Sequence, residues 1–159
     1  MVSTAPNEPS GLPDDDSDDA LKAALHRVFD GAIPNYGDYN LVCATECGGT
    51  VTDSLPHGPL ARGLVIGYRR RPAEIVVAPF DRASLAPAGR PLTADLTNLA
   101  YVAEGAHGTF DISTSTGRIV TFTLRDTCSL ESGDAHSASL YQEDDAADFA
   151  AFLRDLAAL

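Results

Sequence analysis

Three consecutive arginines, Arg69-Arg70-Arg71, are the side chains in this sequence best suited to hold a ligand. Guanidinium forks match the geometry of phosphates and carboxylates. The three lie between two apolar runs, Gly63–Tyr68 and Glu74–Ala78, at the tip of a predicted hairpin. They stand out because Lys plus Arg number 11 against 23 Asp plus Glu, a net charge of −12. The ligand such a tip would take is a small anion or an acidic peptide, with Arg62 or Arg118 as helpers. The plainer role is a solvated turn, or one that pairs with the chain's own acids.

The second charged feature is the run Asp14-Asp15-Asp16-Ser17-Asp18-Asp19. As an interaction element it would dock on a basic partner, and as a leader it would simply keep the chain soluble. It is not a calcium loop, since its aspartates are adjacent and do not alternate around a glycine turn. Cys43, Cys47 and Cys128 are an odd set, too sparse for a disulfide framework. Three Cys and a His could make structural zinc. On one strand, however, Cys43 and Cys47 would stand ~13 Å apart at ~3.3 Å per residue. Cys43, between Val42 and Ala44, reads as a small buried residue, and Cys47, beside Gly48-Gly49, as the more oxidisable thiol. A Cys–His set drawn from Cys47 or Cys128 with His57, His107 or His136 lacks any nucleophile-elbow signature. Gly105-Ala106-His107-Gly108 lacks the lysine and following helix of a phosphate loop. No catalytic residue, cofactor or metal is expected.

Composition narrows the classes further. A pI near 4.4 argues against coating nucleic acid, which needs a cationic face, and against anionic membranes. No apolar run reaches the ~20 residues that span a bilayer. The first basic residue is Lys22, so the start does not read as a signal peptide, and the expected compartment is the cytoplasm. All the basic residues but Lys22 are Arg and alanine is frequent, a bias of GC-rich bacterial genomes.

The elements that must position these residues are legible from periodicity. Residues 1–17 read as a disordered acidic tail, and 18–159 as a single α+β domain. A helix is predicted over Asp18–Asp30, with Leu21, Ala24, Leu25, Val28 and Phe29 on one face and Gly31 as its cap. From Tyr39 to about Leu130 the period is two. Strands are expected over Tyr39–Thr45, Gly63–Tyr68, Glu74–Ala78, Leu99–Ala103, Thr109–Ser113 and Arg118–Leu124, with a weaker one near His136–Leu140. Asp81–Leu96 reads as a connection. The alternation of Phe110 and Ile112 with Asp111 and Ser113 predicts a sheet with one buried and one wet face. A closing helix is predicted over Glu143–Ala157, with Phe149, Phe152, Leu153 and Leu156 packed on the sheet.

This order, from Tyr39 to the closing Asp145-Ala146-Ala147-Asp148-Phe149-Ala150-Ala151-Phe152-Leu153, resembles the bacterial pleckstrin-homology-like folds. The resemblance implies a strongly bent antiparallel sheet or roll of six to seven strands with a C-terminal amphipathic capping helix, serving as a binding or scaffolding unit. The helix at Asp18–Asp30 is extra to that pattern. Three functions follow as expectations. The first is a non-enzymatic module that recognises a protein or peptide, with strand addition at an open edge as one mode. The second is an acidic, immunity- or antitoxin-like neutraliser of a basic partner, acting through Asp14, Asp15, Asp16, Asp18 and Asp19. The third is an enzyme of unknown type.

Overall fold

The computed structural model describes residues 15–33, 39–47, 62–131 and 137–159. Helix α1 spans Asp15–Ala32. It starts three residues before its expected start, because the acids Asp15 and Asp16 sit well at the positive end of a helix dipole. The last residues of the expected tail are therefore helical, and Gly31 lies inside the helix instead of capping it. Asp14 and the rest of the tail fall outside the described residues.

Seven strands follow: β1 (Asn40–Glu46), β2 (Gly63–Arg70), β3 (Ala73–Phe80), β4 (Leu92–Asp95), β5 (Leu99–Glu104), β6 (Thr109–Thr114) and β7 (Ile119–Thr123). They form one antiparallel sheet in the order β4-β3-β2-β1-β7-β6-β5. The hairpin β8 (Thr127–Glu131) and β9 (Ser137–Tyr141) forms a second, separate sheet, and helix α2 spans Glu143–Ala157. The fold class is α+β. Strand β4, in a stretch expected to be a connection, pairs with β3 from Glu74↔Asp95 to Val77↔Leu92.

The sheet's two edge strands, β4 and β5, are consecutive in sequence and joined only by Leu96–Asn98. A sheet whose ends are so tethered must curl until they converge at that one corner, where β4 and β5 remain unpaired with each other. Asn98 holds the corner: its side chain accepts from the Asp95 N–H at 2.7 Å and donates to the Thr93 carbonyl at 2.9 Å, while its carbonyl accepts from Ser115. Strand β1 pairs with β2 from Asn40 to Thr45 but with β7 only at Thr45 and Glu46. The two halves of the sheet therefore diverge along most of β1.

Helix α2 plugs the concave side. Phe149 is fully buried, with ring centroids 4.7 Å from Tyr68 and 6.2 Å from Phe122, and Phe152 stacks 5.5 Å from Tyr68. The expectation of one wet face holds only in part. Central strands β2 and β3 are buried on both faces, which is why they read as unbroken apolar runs. On the convex side, Cys43, Val65, Val76, Ala78 and Phe80 pack against Leu25, Val28 and Phe29 of α1 and Cys128, Leu130 and Leu140 of the hairpin. Gly67 makes this possible, because a Cβ there would lie 2.2 Å from the Phe29 ring.

Two links weld the outer layer and α2 to β1. Cys43 and Cys128 form a disulfide, with Cα atoms 5.9 Å apart across 85 residues of sequence. Cys43 is buried as expected, but the crosslink corrects the reading of the cysteines as too sparse for a disulfide framework. Local patterning does not reveal it because the partners lie on different sheets. Gln142, just before α2, is 4% exposed. Its amide accepts from the Cys43 N–H at 2.8 Å, donates to the Cys43 carbonyl at 2.7 Å and donates to the Arg125 carbonyl at 2.9 Å. The side chain thus occupies the place of a neighbouring strand where β7 has left β1.

Candidate functional site

The arginine hairpin is built as expected: Arg70 pairs with Ala73 across a turn of Arg71 and Pro72. Its charge is largely spent inside the molecule. Arg69 donates to Glu74 at 3.0 Å and lies 4.8 Å over the Tyr39 ring, while the Tyr39 hydroxyl donates to the same Glu74. Burial, then the Glu74 carboxylate, raises the Tyr39 pKa. The Arg69 Nε is buried without a hydrogen-bond partner.

Arg70 grips both oxygens of Asp148 on α2, at 2.9 and 3.1 Å, and packs over Phe152. The Tyr68 hydroxyl donates to Asp148 at 2.7 Å. The Arg70 guanidinium, then the Tyr68 hydroxyl, hold the Asp148 carboxyl below its ordinary range. Burial, reinforced by Asp148, pushes the Tyr68 phenol far up. This cluster fastens α2 to the hairpin. Arg71 is exposed at the turn. Arg62 sits at the other end of β2, ~23 Å from Arg69 at the strand rise of ~3.3 Å per residue, and so does not reinforce the tip.

The remaining expected residues are scattered. Asp15, Asp16, Asp18 and Asp19 lie in the first turns of α1, Asp19 exposed. Cys43 and Cys128 are not thiols. Cys47 is free and accepts a hydrogen bond from the Thr123 hydroxyl at 3.6 Å. His107 is exposed, with a left-handed backbone at φ 59°, and His57 and His136 lie outside the described residues. Among the described residues no group of His, Cys, Asp and Glu could hold a metal ion, and no helix is long and apolar enough to cross a membrane.

The surface that sequence reading did not locate is a groove of about 250 Å³, lined by apolar residue types and exposed main chain, between β5 and the end of α2. Leu96, Leu99, Tyr101, Val102, Leu156 and Leu159 line it. Three of them are large apolar residues left in water: Leu96 is 60% exposed, Tyr101 46% and Leu159 85%. Their clustering makes this the largest gathering of exposed large apolar side chains among the described residues.

The groove runs beside the sheet's edge. The Gly105 N–H bonds the Thr109 carbonyl at 2.8 Å, and Glu104 opposes Phe110. By antiparallel alternation the main-chain groups of Ala103 then turn toward β6, and those of Val102 and Glu104 toward the open side. The bulge at Ala100 breaks the register at the strand's start but leaves Tyr101–Glu104 regular. Arg154 ties α2 to the end of β5, donating to both oxygens of Glu104 at 3.0 and 2.9 Å and lowering that carboxyl's pKa. The signal available in sequence was the strand Leu99–Ala103 itself. That it is an edge, and lies against α2, depends on pairings set far away. Comparison with protein-family models, with curated proteins and with solved structures finds no match to this chain.

Proposed function

We propose that this chain is a non-catalytic recognition module that receives an extended segment of a partner protein as an added strand on β5. The observation that carries this reading is the coincidence of an open strand edge with a groove lined by exposed apolar side chains. Main-chain hydrogen bonds to Val102 and Glu104 would supply affinity, and alternate side chains of the segment dropping beside Leu156 would supply selectivity. The fitting partner is apolar at alternate positions and basic at its flanks. Asp95 and Asp155 adjoin the lining residues Leu96 and Leu156 in sequence, and the chain's net charge is −12. The seven-stranded order and the closing helix support including a likeness to the pleckstrin-homology-like folds in this proposal. The compartment proposed is an oxidising one, because a disulfide persists there and not in a reducing cytoplasm.

The test is selection of binders from a random-peptide library, followed by chemical-shift mapping with isotope-labelled protein. Selected peptides should perturb Tyr101–Glu104 and Leu156–Leu159, and Tyr101→Ala should weaken them about tenfold, as loss of an aromatic anchor does. Shifts confined to the Arg69–Arg71 tip would refute the reading. Binding abolished by deleting residues 1–17 would instead favour an acidic arm neutralising a basic partner.

A further inference from the structure

Three arginines meet at the end of the roll where β1 finishes and β2 and β7 begin. Arg62 immediately precedes β2, Arg118 immediately precedes β7, and Arg90 lies two residues before β4. Thr45 of β1 opposes Gly63 of β2 and Thr123, the last residue of β7; past Glu46, which opposes Phe122, β7 runs back to Ile119 and Arg118 on the far side of the same cavity. The three arginines and Glu46 line a cavity of about 110 Å³, with Leu64 and Val77 among its lining residues.

Two of the guanidiniums hold the loop that carries the third. Arg62 binds both oxygens of Glu46, at 2.6 and 2.8 Å, and donates to the Ala88 carbonyl at 2.7 Å. Arg118 donates to the Pro91 and Arg90 carbonyls at 3.2 and 3.4 Å. Those two long contacts use two of its five N–H donors. The Arg90 side chain makes no hydrogen bond or ion pair among the described residues. Among the described residues that line it, the cavity thus gathers three arginines and one carboxylate, in a chain whose net charge is −12. Guanidinium forks are shaped for oxyanions, and the Arg90 fork has its donors left to offer one.

We propose that this cavity binds a small free phosphoryl oxyanion, with inorganic phosphate as its simplest form. A cavity of this size takes several waters, at about 10–15 Å³ of such space each, and so has room for a tetrahedral oxyanion. The surrounding negative charge opposes approach to an anionic bilayer. The site shares no residue with the β5 groove, so neither proposal depends on the other.

The test uses the full chain at low ionic strength, titrated calorimetrically with inorganic phosphate. Binding should saturate and weaken as sodium chloride is raised. Arg90→Gln and Arg118→Gln should each weaken it about tenfold, whereas Arg27→Gln on α1, with the same change of charge, should leave it unchanged. Arg118→Gln also loosens the loop, so Arg90→Gln decides, with unaltered circular dichroism showing that it folds. No saturable binding, an equal loss with Arg27→Gln, or full binding by Arg90→Gln would each overturn the proposal. Co-sedimentation with phosphatidylglycerol vesicles through these arginines would overturn the free source, placing the oxyanion on a membrane.

Discussion

Replacing Gln142 by Leu tests whether one amide really substitutes for a strand. Leu fills similar space but cannot bond, so Gln142→Leu strands the Cys43 N–H and carbonyl, in a residue with 0% exposure. Each orphaned buried polar group costs about 1–3 kcal/mol. The third group released, the Arg125 carbonyl, belongs to an exposed residue and can turn to water. Two orphans therefore cost ~2–6 kcal/mol, and the added apolar burial returns ~1–2 kcal/mol of that. The expected net loss is about 3 kcal/mol. For a domain of this size that lowers the melting midpoint by ~6–12 °C. Urea unfolding followed by far-ultraviolet circular dichroism, with the disulfide intact, measures it. Gln142→Glu adds a signature of its own. It keeps an acceptor for the Cys43 N–H but points a carboxylate at two carbonyl oxygens, so its deficit should be at least as large at neutral pH. Its folded-state pKa would be raised, so the penalty is present at high pH and shrinks as pH falls through that value. A loss under about 1 kcal/mol for Gln142→Leu would mean that water takes the amide's place, refuting the strand-surrogate reading.

Four other outcomes follow. Removing the Cys43–Cys128 crosslink by the double change to Ala should cost about 4–5 kcal/mol by loop-closure entropy across 85 residues, read from urea midpoints against the oxidised parent. Gly67→Ala should push Phe29 out of the convex core, costing about 1–3 kcal/mol and raising hydrogen exchange in α1 above that of α2. The Asp148 pKa is lowered in the fold, so its contribution is present above the unfolded value near ~3.9 and disappears as pH falls through the folded value. The acid limb of the stability curve should therefore be shallower in Asp148→Asn than in the parent. In the groove, Leu156→Asp should abolish binding of library-selected peptides while Arg71→Ala leaves it intact, as competition titrations would show.

The legibility of this sequence follows the range of its interactions. Helix α2 was readable to the residue because its acids, its 3.6-residue stripe and its aromatic pair are all local. The β2–β3 and β6–β7 hairpins were readable for the same reason. Strand β4 was not, since its four residues follow Pro91 and gain their pairing only from β3. The unbroken apolar runs in β2 and β3 were read as strands of a sheet with one wet face, because nothing local announces that α1 and the β8–β9 hairpin cover the other. Gln142 lies between a strand and a helix, and nothing nearby announces that it addresses Cys43. The Arg69–Arg71 tip was found as a charge anomaly. Its pairing with Glu74 and Asp148 depends on where Tyr39 and α2 dock. The groove beside β5 and the arginine mouth both arise from strand ends that only the finished topology brings together.

The Cys43–Cys128 bond makes a closed ring of more than half the polypeptide, and the β1–β2 connection lies within that ring. A protease that severed the chain once anywhere inside it would not release a fragment. The nicked molecule would migrate as one species on a non-reducing gel and as two after a thiol is added. Partners bound on the β5 side would stay attached to both pieces, so a single backbone scission would not by itself disperse the assembly.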